Sequence, residues 1–598
     1  MLVAKGGGLY TLVNFIKKLG VIHENRIAFT VSFTFIAMSI KEHSLLRVLV
    51  MMTCAFVLFS CSKSAHEVVG NGNSEFNLNA ALLLISEDNM QSSVNYLAAD
   101  ARQGRMTGSR GYDEAAQYVV EQFTAIGLEP AGTDGWMQHV PLITAMLDPD
   151  NSGVTLHKGA GDVELVWKEN LIVYADRLRP ENRVRAEVVF VGFGVHAPEL
   201  GYSDYDGIDV SGKIVVMFGG APATFASTER AHYASGRTKV AELVGRGAIG
   251  EIELRSRLEE KRSPWGEYTR NLGTQPDMSW IGTDGEIADF HAQLRGSATF
   301  NRDAAEQLFE TAPITFEQAL DAAEQAGPLS VALGIEVTMY RRTEHERITS
   351  PNVVGIVRGS DPQLANEYVI YSTHLDHLGI GAAVEGDSIY NGMYDNALGV
   401  AMTTEIARTL AAMPVSPRRS IVFLAVTGEE HGLLGSDYFA HHPTVPSSAI
   451  VANVNIDMPL MIAPLASVVV YGAEHSSLEG LTVTEVKKEG FDLAPDEYPE
   501  EVYFIRSDQY SFVRQGIPAI YFAEGPDSPD PAVDTRTLQE DFFDLHYHHP
   551  SDDLSQPIVW ETALRFTRAA ARIGYRIAMD DQRPTWNEGD FFGDKFGK

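Results

Sequence analysis

The chain has 598 residues, more than one hydrophobic core ordinarily holds, so two or more domains are expected. Hydrophobic residues make up 44% and charged residues 21%, which argues against disorder, and 80 acidic against 47 basic residues give a net charge of −33. A surface of that sign repels phosphate backbones and excludes nucleic acid as a natural partner.

Only two cysteines are present, Cys54 and Cys61, both near the N-terminus. A disulfide framework, a thiolate zinc site and a cysteine nucleophile are therefore excluded for the chain that follows. Residues 38–61 have a basic start in Lys41 and Arg47 and then an uncharged apolar run from Val48 to Ser60. That run is short for a membrane span and suits the core of an export signal. It ends Leu58-Phe59-Ser60-Cys61, which resembles a bacterial lipoprotein box with Cys61 as the lipidated residue. The expectation is a leader over 1–61, a plain signal peptide being the alternative to the lipoprotein box, with either Met38 as the true start or Ile27 to Ile40 as a second short apolar anchor, followed by a tether over 62–84. Export to the periplasm and a lipid anchor at Cys61 follow, with Ser62 pointing to the outer membrane.

Further along, Tyr112, Ala115, Ala116, Val119, Val120 and Phe123 recur at helical spacing and Gly127 closes the run. From Arg185 the texture changes to short β runs, AEVVFVGFGV and KIVVMFGG, with turn residues between them. At Asn352 apolar strands begin to alternate with amphipathic helices, the pattern of a mostly parallel, doubly wound α/β sheet with helices on both faces. The economical organisation is an α/β domain over 85–182 and 336–598, interrupted by a smaller β-rich insert over 183–335.

Four polar signals stand where strands of that sheet should end, His374-Leu375-Asp376-His377, Asp395-Asn396 before the helix from Ala397, Glu429-Glu430 and Asp457, and a fifth comes late, Tyr547-His548-His549-Pro550-Ser551-Asp552. Ligands of open α/β sheets bind beyond the carboxyl ends of strands, so these residues can converge. Imidazole and carboxylate are suitable zinc donors where thiolates are lacking. Neither a Gly-x-Ser-x-Gly elbow nor a His-Glu-x-x-His helix occurs, which removes a serine hydrolase and the common helical zinc protease.

The segments YSTHLDHLG, GDSIYNGMYDNALGVA, FLAVTGEEHGLLGS, VNIDM and YHHPSD resemble the co-catalytic di-zinc aminopeptidases, the superfamily that also holds glutamate carboxypeptidase and transferrin receptor. VVFVGFGVHAPELGYSDYDGIDVSGKIVVM resembles the protease-associated (PA) insert of its secreted bacterial members. The resemblance spans about residues 85–595, and Leu398 departs from it at a usually small helix position. It implies two Zn²⁺ per chain, with Asp395 bridging, His374 and Asp457 completing one site, and Glu430 and His548 the other. It implies Glu429 as general base, Asp376 as the residue orienting His374, and a cis peptide after Asp395. Three ligand carboxylates would leave two Zn²⁺ with surplus positive charge, suited to holding hydroxide at neutral pH. His377 and His549 adjoin the motifs and compete with the histidines chosen. Arg506, Ser507, Asp508 and Tyr510 resemble a substrate-side loop, with Tyr510 either an oxyanion donor or structural. The implied function is peptide hydrolysis, an aminopeptidase first, with a carboxypeptidase or a non-catalytic receptor as alternatives and a one-zinc glutaminyl cyclase disfavoured by His374 and Asp457. The insert would shape access, touching substrate or a protein partner, without supplying a metal ligand.

Overall fold

The computed structural model describes residues 77–597 except residues 160 and 326. The leader, Cys61 and the tether as far as residue 76 lie outside the described residues. Residues 77–82 form a helix, and Leu78, Ala81, Leu82 and Ile85 bury in the core at the i, i+3, i+4, i+7 spacing of one helix face. The end of the expected tether therefore belongs to the folded body, because four apolar residues outweigh the polar stretch before them.

The main sheet has four parallel strands at its centre, in the order Ser420–Val426, Tyr368–His374, Ile450–Asn455 and Ala519–Glu524. Its flanks are antiparallel: the strand Ser330–Val357 pairs with Ser420–Val426 and with Met137–Leu147, and Ser467–Tyr471 pairs with Ala519–Glu524. The central strands are buried along both faces, as their unbroken apolar runs require. Alternation still sorts their side chains. Val369, Tyr371, Ile421 and Phe423 pack beneath the helices Arg110–Ile126, Leu398–Ala411 and Trp560–Met579. Ile370, Val422, Leu424 and Val426 face the other way, onto Phe439, Phe512, Val513 and Phe592.

Helix Arg110–Ile126 shows how the sequence encodes such an element. Ser109 accepts the Tyr112 N–H at its start, and Gly127 ends it at φ +88°, where a side chain would be strained. Between these caps Tyr112, Ala115, Ala116, Val119 and Phe123 are buried, the large ones contributing roughly 1.5–3 kcal/mol each. Leu398, the position that departs from the resemblance, is fully buried in the same core.

A second sheet is built from Glu181–Val191, Ile214–Phe218, Gly250–Leu254 and Ser297–Phe300, all parallel where they pair. Gly153–Lys158 and Leu171–Val173 also join it. By hydrogen bonding this second sheet thus begins near residue 153, ahead of residue 183, where the β-rich insert is expected to start. Its first strands are too short to show a period in the sequence. The strand Ser330–Val357 serves both sheets: as far as Arg342 it pairs with Glu181–Val191, and from Thr343 with Met137–Leu147.

Candidate metal centre

The polar signals converge at the carboxyl end of the parallel strands. His374 is the last residue of its strand, Glu429 and Glu430 follow Ser420–Val426, and Asp457 follows Ile450–Asn455. Asp395 sits in the turn opening helix Leu398–Ala411, and its peptide bond to Asn396 is cis. His548 comes from the loop after helix Thr535–Leu545, at φ +53°.

Two donor groups share Asp395. In the first, His374 Nε2 lies 3.0 Å from Asp395 Oδ1 and 2.8 Å from Asp457 Oδ1. In the second, His548 Nε2 lies 3.1 Å from Glu430 Oε2 and 3.4 Å from Asp395 Oδ2. His377 enters the same group, its Nδ1 2.5 Å from Glu430 Oε1 and 3.8 Å from Asp395 Oδ2. The donor atoms of His374, Asp395 and Asp457 lie within 4.8 Å of one another, as do those of His377, Asp395 and Glu430. Such a nitrogen–oxygen donor set, largely buried and sharing one carboxylate, fits divalent cations and zinc in particular.

Burial dominates the electrostatics. It drives the Glu429 carboxyl well above the usual carboxylate range, with His374 opposing and Asp457 and Glu430 adding to the rise. Burial and Asp395 push Glu430 the same way, yet His548 and His377 outweigh them and bring it down to about 2. Burial lowers His548, but Glu430 and Asp395 more than reverse this and carry it up to about 10. Two adjacent glutamates of identical chemistry are thus driven apart, one toward holding a proton and one toward the anionic form a cation needs.

The donors are held by residues behind them. The Asp376 carboxylate accepts the main-chain N–H groups of Glu429 (3.2 Å) and Glu430 (3.4 Å) and the Thr107 hydroxyl (3.2 Å). His374 Nδ1 donates to the main-chain oxygen of Asp376 at 3.1 Å, while the carboxylate stands 3.9 Å away. Asp376 therefore steadies His374 through its carbonyl and the Glu429-Glu430 loop through its side chain. The Ser507 hydroxyl donates to Asp457 Oδ2 at 2.5 Å, and Asp552 accepts the N–H groups of Tyr394 and Asp395. The Arg105 guanidinium, almost fully buried, donates to the carbonyls of Leu97, Leu375, Asn391 and Gly392, tying three segments together beneath the donors.

Of the substrate-side candidates, Ser507 reaches the donors through Asp457, whereas Tyr510 turns elsewhere. Its ring packs on Phe592 and its hydroxyl lies 3.3 Å from His232 Nδ1, so its role is structural. The phenol beside the donors is Tyr547, whose ring stacks on His548 at 3.8 Å between centroids. Its place immediately before His548 was the available signal. His549 bonds Ser551 and joins neither donor group.

Residues 352–574 match Peptidase family M28. A probable leucine aminopeptidase 2 of Aspergillus oryzae (strain ATCC 42149 / RIB 40) is 25% identical over 247 residues, covering 40% of this chain and 47% of the relative. Aminopeptidase NAALADL1 of Mus musculus is 32% identical over 159 residues, covering 25% of this chain and 20% of the relative. The chain thus spans less than half the length of these curated relatives. Among solved structures, an aminopeptidase from Aneurinibacillus sp. strain AM-1 aligns over 83% of this chain and 94% of its own, with 19% identity and a TM-score of 0.48.

Proposed function

We propose, on the premise that residues 352–574 form a peptidase family M28 domain, that this chain is a zinc-dependent exopeptidase, and specifically an aminopeptidase releasing N-terminal residues from peptides. One observation carries the reading: two donor groups share Asp395, with the buried carboxyl of Glu429 directly beside them.

His374, Asp395 and Asp457 would hold one Zn²⁺, and Asp395, Glu430 and His548 a second. When bound, zinc supplies Lewis acidity toward the scissile carbonyl and acidifies a water. Glu429 takes the proton of the attacking water and delivers it to the leaving amine, a transfer favoured by the burial that raises its affinity for a proton. Asp376 keeps Glu429 at a fixed reach through the main-chain N–H it accepts. Tyr547 stacks on His548 and so steadies the ring of that donor. The relatives named above carry aminopeptidase names, which supports an aminopeptidase over a carboxypeptidase.

The test is hydrolysis of a panel of amino-acid anilides beside N-acylated dipeptides by the purified chain, with chelation and zinc add-back. Cleavage of free-amino anilides that chelator abolishes and Zn²⁺ restores is expected. Cleavage of only the acylated dipeptides would instead establish a carboxypeptidase. Export and a lipid anchor at Cys61 complete the proposal. Cys61→Ser should release soluble protein or leave the leader uncleaved, and unchanged fractionation with no lipid adduct by mass spectrometry would refute the anchor.

A further inference from the structure

The loop bearing Glu429 and Glu430 is a tight one. The N–H groups of Gly432 and Leu433 both donate to the Glu429 carbonyl (2.8 and 2.9 Å), and Leu434 N–H donates to the Gly428 carbonyl (2.9 Å). Gly428, Gly432 and Leu433 take φ values of +69°, +99° and +63°, so the path depends on contacts that over-determine it. Asp376 holds the incoming limb. The outgoing limb is held from the insert: Arg237, in helix Gly236–Gly245, donates from Nη2 to the Gly432 carbonyl at 2.5 Å.

The other arm of Arg237 explains why it stays there. Nη1 lies 3.0 Å from Asp289 and 3.5 Å from Asp437, in the first turn of helix Leu434–His441. The Asp437 side chain is only 1% exposed and also takes the Trp280 Nε1–H (2.9 Å) and an Arg514 N–H (3.2 Å). One planar guanidinium thus meets a buried carboxylate and a carbonyl at once, which the single ammonium of a lysine cannot reproduce in full.

We infer that Arg237 is a positioning residue for the base-bearing loop, through which an insert that gives no metal donor sets the reach of Glu429. The inference rests on the reading of Glu429 as general base. Arg237→Ala should fold, since Asp437 keeps Trp280 and Arg514 and the exposed Gly432 carbonyl can turn to water.

The experiment compares Arg237→Ala, Arg237→Lys and the wild-type full chain in kcat, KM, zinc content and amide hydrogen exchange over residues 428–434. Misplacing a catalytic group by about 1 Å can cost on the order of 100-fold, so a partial release should lower kcat roughly 10-fold. KM should stay within about twofold and zinc content should hold. The loop amides should exchange several-fold faster, and Arg237→Lys should recover most of kcat. A kcat within twofold of wild type, or a loss that simply tracks lost zinc, would overturn the inference. If the wild type itself cleaves no peptide, the proposed function fails instead. The clamp is then judged by exchange alone: faster in Arg237→Ala supports it, unchanged refutes it.

Discussion

Asp552 accepts the main-chain N–H of Asp395 at 3.1 Å with Oδ2, while its Oδ1 takes the N–H of Tyr394 at 2.9 Å. The last polar motif of the chain therefore fixes the turn that carries the shared carboxylate, 157 residues earlier. Asp552→Asn would turn an amide N–H toward one of those two donors. Supporting residues of this kind are typically worth about 10–100-fold in metal affinity, so zinc competition against a chelator should show a loss of that size. An unchanged affinity would mean the turn holds itself.

Glu429 and Glu430 should fail differently. Glu429→Gln keeps size and hydrogen bonding but removes the basic oxygen, so both zinc ions should remain while kcat falls by about 10²–10⁴-fold. Glu430→Ala should lose one zinc, because Asp395 then faces the second position with a histidine but no partner carboxylate. Metal analysis beside kinetics separates the two, and the opposite pattern would exchange the roles.

His377 and His548 face the same carboxylates and compete for one assignment. With His548 as the donor, His548→Ala should lose one zinc and nearly all activity. His377→Ala should keep both ions and lose only about 10-fold in kcat through a looser Glu430. Zinc lost from the His377 variant and kept in the other would reverse the assignment.

The general place of the centre is legible in the sequence, because three of the signals, His374, Glu429-Glu430 and Asp457, close recognisable buried strands. His374 ends one apolar run, and Asp457 stands two residues past another. What stays hidden depends on partners distant in the chain. Arg105 and Arg237 act by touching backbone that only the folded topology brings near, and no local spacing marks them, while Asp552 stands in a marked motif whose grip on the Asp395 turn is not written in it. Tyr510 misleads for the same reason: its motif looks like a site loop, but an aromatic cluster around Phe592 claims the ring. The early edge of the second sheet is lost because Leu171–Val173 is too short to carry a period.

His232 makes the contact between helix Ser227–Ala234 and the aromatic cluster of Tyr510 and Phe591 sensitive to acid. It is buried against Tyr510 and Phe591, and this burial, with Lys595 adding to it, holds its pKa down to about 3. An unfolded histidine titrates near 6.5, so the unfolded state takes up the proton first and stability falls as pH drops from 6.5 toward 3. The loss from this one group reaches about 2 kcal/mol at pH 5. His232→Gln should narrow the gap in melting temperature between pH 7.5 and pH 5, and an equal gap in both proteins would exclude His232 as a source of acid sensitivity.

The strand Ser330–Val357 passes from one sheet to the other between Arg342 and Thr343, changing partners without an unpaired residue at the crossing. A joint of that kind cannot swing as a flexible linker does; it can only twist. The orientation of the second sheet against the first is therefore set by strand register, in steps of one residue. A slip by a single position would turn inner side chains outward in both sheets together. The second sheet is thereby tied to the same ladder that pairs with Ser420–Val426, the strand that leads into Glu429 and Glu430.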